Sequence, residues 1–270
     1  MYKNINNKNL ITRIFTGIIY IISVILSIQN GDKIFRIVMM SISSICFIEF
    51  LIMFKIKIEL IKITFLFFFS IIFFDFLSKI GFTLYLVFFV SYFITFSIIQ
   101  LFLYYTKNDK ILKISILSFG LIYIVIPFLL TCYIYMLYGK KIILGIFILV
   151  WINDSLSYII GNKWGKNKIF ISISPKKSVE GYFGGLFFCI LTGYLFCMIY
   201  KNNYWLFFSF IISVFSSIGD LIESIIKRHC NVKNSSIIFP GHGGFLDRLD
   251  SFIFVIPIIY TILMIIRYIL

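Results

Sequence analysis

Apolar runs of roughly 20 residues, separated by short polar stretches, recur along almost the whole chain. That length suits a helix crossing a bilayer better than an element of a soluble core. The pattern predicts nine membrane-spanning helices, at about 10–28, 34–54, 60–78, 82–105, 111–138, 142–160, 182–200, 204–226 and 250–269. The expected fold class is therefore all-α, a polytopic membrane protein. No polar stretch is long enough to fold outside the bilayer, so one integrated membrane domain is expected. Within it, residues 1–141 supply N-terminal transmembrane helices and 142–270 a C-terminal transmembrane region that carries most of the chemistry. The opening MYKNINNKN is polar and precedes an apolar run, but no A-x-A-like site follows, and the segment is expected to be retained.

Composition agrees with this reading, since 61% hydrophobic residues, 20% aromatics and a mean hydropathy of +1.03 exclude an ordinary soluble domain. The net charge of +14 becomes informative once it is placed on the loops. With the N-terminus inside, 18 of the 25 basic residues fall on one side of the nine-helix arrangement and 7 on the other. Lys and Arg gather on the cytoplasmic side of membrane proteins, so an N-inside, C-outside topology is expected. The same bias accounts for the positive charge through orientation and attraction to anionic membrane lipid, so no nucleic-acid partner is expected. The five cysteines show neither CxxC nor paired zinc spacing, and four lie in apolar runs where a thiol behaves as a small hydrophobe.

Two polar segments on the expected cytoplasmic side concentrate functional groups. The first, NDSLSYIIGNKWGKNKIFISISPKKSVEGYFGG, runs from Asn153 to Gly185. Asp154 lies near the end of an apolar helix, where an unpaired charge at mid-bilayer depth would cost about 2.5 to 3.5 kcal/mol, so it should face a polar cavity or a cation. Further on, Lys176 and Lys177 follow Pro175, with Glu180 near enough to orient an ammonium. Adjacent lysines suit phosphate oxygens, although a basic loop snorkelling beside lipid headgroups has the same composition.

The second segment begins with SSIGDLIESIIKRHC, in which helical spacing puts Asp220, Glu223, Ser224 and Lys227 on one stripe. Internal pairing of Asp220 or Glu223 with Lys227 is one reading of that stripe. After NVKNSSIIF comes PGHGGFLDRLDS, Pro240 to Ser251, where Gly241, Gly243 and Gly244 allow close backbone approach to a ligand. Asp247 and Asp250 share a helix face and, with Asp220, offer hard oxygen ligands for a divalent cation of the kind that accompanies a nucleotide. Arg248 adds a donor fork for phosphate, and His242 a further donor. Acidic residues favouring a helix start through its dipole are the competing explanation for Asp247 and Asp250. His229 is assigned an ordinary structural role.

The run S-I-I-K-R from Ser224 to Arg228, then Lys233, then P-G-H-G-G-F-L-D-R-L-D from Pro240 to Asp250, closely resembles the signature of the phosphatidate cytidylyltransferases, or CDP-diacylglycerol synthases. Asp154 with Tyr158 to Gly161, and SPKKSVEG from Ser174 to Gly181, are similar to that family's D-x-x-x-Y and S-P-K-K-T-x-E-G segments. The resemblance is specific over roughly 150–251, while the N-terminal half matches mainly in hydropathy and helix count. One position departs: the family has aspartate after the loop lysine, and here Asn234 follows Lys233.

The resemblance implies transfer of a cytidylyl group from CTP to phosphatidic acid, giving CDP-diacylglycerol and pyrophosphate with Mg2+ as cofactor. It assigns catalysis to Asp220, Lys227 and Asp247, and the metal to Asp220, Asp247 and Asp250. Substrate binding falls to Asp154, Lys176, Lys177, Ser224, His242, Gly243, Gly244 and Arg248. A homodimer in the inner (cytoplasmic) membrane, its active site facing the cytoplasm, is also implied. Two other classes compete. An ion-coupled transporter would line its path with Asp220, Glu223, Glu49 and Asp75, but the two halves of the chain show no clear repeat. Another membrane lipid phosphotransferase would use the same metal and lysine chemistry, and only the motif order argues against it.

Overall fold

A computed structural model describes residues 7–56, 109–170, 173–236 and 243–269. The described helices are α1 (Asn7–Gln29), α2 (Asp32–Met53), α3 (Asp109–Gly120), α4 (Ile126–Tyr138), α5 (Lys140–Trp164), α6 (Val179–Tyr200), α7 (Tyr204–His229) and α8 (Leu246–Ile269). Six helical segments, starting at Asp32, Ser115, Lys140, Val179, Tyr204 and Leu246, are long and apolar enough to cross a membrane. In α1 the apolar stretch is Gly17–Gln29. The chain is thus an all-α polytopic membrane protein in its described helices. The expected spans at 60–78 and 82–105 lie outside the described residues, as does Asp75.

Several boundaries differ from the sequence expectation for local reasons. The predicted span 111–138 is α3 and α4 joined by a π turn, Leu121–Val125. Pro127 at the start of α4 lacks the N–H a regular helix would use, and the wider turn accommodates it. α5 runs on to Trp164, and α8 starts at Leu246 instead of 250, so Asp247 and Arg248 belong to its first turn. Between α5 and α6 the chain forms a small antiparallel hairpin, β1 (Lys168–Phe170) and β2 (Ser174–Ser178), where only a polar loop was expected. Ser178 ends that hairpin and caps α6, its hydroxyl accepting the Gly181 amide at 3.2 Å. Glu180 takes the Asn167 amide at 3.1 Å, tying the hairpin's entry to the helix it precedes.

Close helix packing fixes the end of the bundle where the polar residues lie. A Cβ on Gly181 would come within 2.7 Å of the Ser157 carbonyl oxygen, so only glycine lets α6 approach α5 this closely. Gly219 plays the same part between α7 and α8, where an added Cβ would sit 2.7 Å from the Phe254 Cβ and 3.0 Å from the Asp250 carbonyl oxygen. The core beneath is aromatic: Phe147 of α5 stacks on Phe252 of α8 at 4.3 Å, and Phe50, Phe128 and Phe208 are fully buried. Beyond it, Phe183, Phe187 and Leu191 of α6 and Phe207 and Phe210 of α7 remain exposed, as helix faces toward lipid require.

Candidate nucleotide and lipid-phosphate site

Ser213, Ser216, Asp220, Glu223 and Lys227 follow one another along α7 in steps of three and four residues, so they form one continuous polar edge on an oily helix. Each part of that edge meets a different neighbour. At the deep end, Asn153 of α5 is buried; its carbonyl accepts from the Ser213 hydroxyl at 2.7 Å and its amide donates to Ser216 at 3.1 Å. The Ser216 hydroxyl in turn donates to Asp154 Oδ1 at 2.7 Å. The polar surroundings expected for Asp154 are therefore supplied by the serines of α7.

Midway along the edge, Asp220 meets Lys177 of β2 at 2.8 Å, and Lys177 also donates to the Ser217 carbonyl at 3.4 Å. This is the most open part of the cluster, with 41% of the Asp220 side chain exposed. The hairpin thus brings one lysine of the SPKK segment onto the α7 carboxylate, while Lys176 stays exposed on the strand.

At the end of α7, Lys227 sits between Glu223, with which it forms a close ion pair, and Asp247 Oδ1 at 2.7 Å. The pairing of Glu223 with Lys227, one of the readings the stripe allowed, is what the fold adopts. Asp247 Oδ2 accepts from the Ser235 amide at 2.9 Å, the Ser235 hydroxyl at 3.0 Å and the Gly244 amide at 2.8 Å. Placement at two helix termini favours both charges, since Lys227 lies in the last turn of α7 and Asp247 in the first turn of α8. Gly243 has φ of 85°, and a Cβ there would collide with the Asp247 carboxylate. The closeness that Gly243 and Gly244 permit is therefore spent on the chain's own carboxylates, not left open for an anion.

Asp250 is buried one turn further along α8, its Oδ1 accepting the Ser251 amide at 2.7 Å, within electrostatic range of Asp154, Asp220 and Glu223. Ser224 is buried beside Glu223, and Arg248 is half-buried on α8. Lys233 and Asn234 are exposed, and His242 lies outside the described residues.

The expected metal triple of Asp220, Asp247 and Asp250 is not drawn together as one centre; among the described residues no three acidic, histidine or cysteine side chains converge to hold an ion by themselves. Asp247 departs most from that expectation, because its two oxygens are already engaged by an ammonium and three further donors. Asp220 nevertheless offers an open hard oxygen donor on the edge, with the carboxylates of Asp154 and Asp250 within electrostatic range of it. Magnesium bound with a nucleotide uses one or two carboxylates and takes its remaining ligands from phosphate and water, so this arrangement fits it.

Sequence reasoning missed Asn153, Ser213, Ser216, Ser235 and Ser236 as members of the polar network. The serines of α7 could have been found by extending the Asp220–Lys227 stripe two turns backward. Glu49 of α2, read only as a possible ion-path residue, instead accepts from Ser235, Ser236 and the first amides of α8.

Comparison with known proteins gives this cluster a context. The sequence profile described as the cytidylyltransferase family matches residues 11–266. Over 129 residues the chain is 43% identical to the phosphatidate cytidylyltransferase of Staphylococcus aureus (strain COL). It is 44% identical over the same length to the phosphatidate cytidylyltransferases of Staphylococcus epidermidis and Staphylococcus haemolyticus. Each match covers 46% of this chain and 50% of the relative, so the chain spans about half the length of the curated relatives it matches.

Proposed function

Because the chain belongs to the cytidylyltransferase family, we propose that it is a membrane nucleotidyltransferase that moves a cytidylyl group from CTP to phosphatidic acid, releasing pyrophosphate and leaving CDP-diacylglycerol. The observation that carries this reading is the Lys177–Asp220 pair at the open part of an otherwise buried polar edge. It offers an ammonium and a carboxylate together, which a triphosphate and its counter-cation both require.

A phosphate oxygen of phosphatidic acid attacks the α-phosphorus of CTP. The new P–O bond forms as the bond to the β-phosphate oxygen breaks, and pyrophosphate departs with that electron pair. No enzyme nucleophile is needed, so positioning and charge stabilisation supply the catalysis. Lys177 transfers its ammonium from Asp220 to the incoming phosphates, with Lys176 and Arg248 as further phosphate contacts. Lys227, held by Glu223 and Asp247, supplies a fixed positive charge beside them. Ser224 and His242 complete the substrate-binding set, while Gly243 and Gly244 make room for the chain's own carboxylates. Asp220 would hold magnesium, with Asp154 and Asp250 adding negative charge nearby, and the bound ion would offset charge on the triphosphate. Asp247 fixes Lys227 instead of serving as a ligand.

The finer architecture in this proposal is nine spans with the N-terminus inside, residues 142–270 carrying the reaction, and the site facing the cytoplasm across the inner membrane. A homodimer completes it. The 18-to-7 distribution of basic residues supports the orientation, and the open apolar faces of α6 and α7 give a second copy room to pack. The test is to incubate purified protein in detergent with phosphatidic acid, magnesium and each radiolabelled nucleoside triphosphate in turn. The expected result is a labelled liponucleotide from CTP with release of pyrophosphate. Labelling from another nucleotide alone, or transfer of the γ-phosphate, would point to a different lipid phosphotransferase and overturn the assignment.

A further inference from the structure

Glu49 is an ionisable residue near the C-terminal end of an apolar helix, 1% exposed and on the N-terminal half of the chain, remote in sequence from every motif in the site. Its carboxylate is nevertheless the meeting point of the segment that follows α7. Oε1 accepts from the Ser236 hydroxyl at 2.7 Å and the Phe245 amide at 3.0 Å. Oε2 accepts from the Ser235 hydroxyl at 2.9 Å and the Leu246 amide at 2.9 Å. Two of these donors precede residues 237–242 in the sequence and two follow them, so one side chain of α2 ties both flanks of that segment to the bundle.

The Ser235 hydroxyl extends the connection. It lies 2.9 Å from Glu49 Oε2 and 3.0 Å from Asp247 Oδ2. A hydroxyl carries a single proton, so it donates to one carboxylate at a time and links the two. Asp247 in turn holds Lys227 at 2.7 Å. Gly244 fits between the elements of this chain only because it has no side chain: a Cβ there would strike both the Glu49 carboxylate and the Ser235 hydroxyl.

We propose that Glu49 is a positioning residue for the Lys227–Asp247 pair, acting from α2 through Ser235 and the first amides of α8. Resting on the cytidylyltransferase reading above, it sets where the Lys227 ammonium stands relative to the reacting phosphates without touching substrate. A carboxylate is required there because each of its two oxygens faces a backbone amide, Phe245 or Leu246, that can only donate. Glutamine has the same shape but turns its N–H2 toward one of those two amides, so donor faces donor there and that hydrogen bond is lost. The first turn of α8 then shifts, and Lys227 with it.

The experiment compares wild type, Glu49→Gln and Ser236→Ala in two measurements. In the first, kcat and KM for CTP are determined with phosphatidic acid in mixed micelles. Glu49→Gln is expected to lower kcat on the order of 100-fold with KM changed by less than about threefold, the pattern of a misplaced group in the transition state. Ser236→Ala, which removes a single donor and keeps the carboxylate, is expected to lower kcat by about threefold to tenfold, and it stands in should Glu49→Gln fail to fold. The second measurement is hydrogen exchange by mass spectrometry, with faster exchange expected in the variants for peptides covering 243–250 and unchanged exchange in α5. A Glu49→Gln protein with wild-type kcat, or with unaltered exchange over 243–250, overturns the proposal. If the wild type lacks CTP-dependent transfer, the reaction assignment fails while the exchange result still decides whether Glu49 clamps α8.

Discussion

Replacing Lys227 with methionine tests the energetic centre of the site. Lys227 is the cation between Glu223, which is fully buried, and Asp247, which is nearly so. Methionine preserves the length and apolar stem of lysine but leaves two carboxylates facing one another without a counter-charge. Removing one partner of a buried ion pair costs about 3 to 5 kcal/mol, because the remaining charge is left uncompensated. For a chain of this size about 1 kcal/mol corresponds to 2 to 4 °C in Tm, so Lys227→Met should lower the melting temperature by roughly 6 to 20 °C. The protein provides its own reporter, since Cys46, Cys132 and Cys189 are buried thiols outside any disulfide that react with a maleimide dye only on unfolding. Neutralising Glu223 as well, in Lys227→Met/Glu223→Gln, removes one of the two stranded charges and should recover at least half of the lost Tm. A single variant as stable as wild type, or a double variant no more stable than the single, would refute the account of Lys227 as the compensating charge.

Three further outcomes are expected. Asp247→Asn should abolish detectable turnover while leaving a folded protein in detergent, because an amide must direct its N–H2 at the Lys227 ammonium or at the Ser235 and Gly244 amides; near-wild-type rate at ordinary magnesium would remove Asp247 from the site. Cysteines introduced at Lys176 and Lys233 should resist an impermeant thiol reagent applied to intact cells, and labelling of either would contradict the N-inside, nine-span arrangement. Asn234→Asp should lower the magnesium concentration for half-maximal rate without a large change in maximal rate, since the wild type keeps carboxylates at Asp154, Asp220 and Asp250 and the exposed position 234 adds only charge. A wild type without CTP-dependent turnover that the aspartate restores would show Asn234 to be an impairing change.

The comparison of motif and fold is clearest around Lys227. Spacing alone put Asp220, Glu223, Ser224 and Lys227 on one face, because a helix repeats every 3.6 residues whatever surrounds it. Spacing did not say which acid the ammonium would choose. Only the packing of α8 against α7 sets Asp247 opposite Lys227, while the hairpin delivers Lys177 to Asp220. The metal triple inferred from three carboxylates in two motifs separated for the same reason: residues near in sequence pattern were claimed by nearer partners in space.

The sequence by itself determined the membrane setting, the helical architecture of the spans and the identity of the chemistry-bearing segments. These depend on run length, periodicity and residue type, which are local properties of the chain. The tertiary structure decided the partners. Asn153 reaches Ser213 and Ser216 across some 60 residues, and Glu49 reaches Ser235 and Leu246 across nearly 200. No periodicity within a window of the chain encodes such contacts, because each arises from the close approach of helices that only the assembled bundle permits, made possible at single positions such as Gly219 and Gly244 where a methyl group would keep them apart.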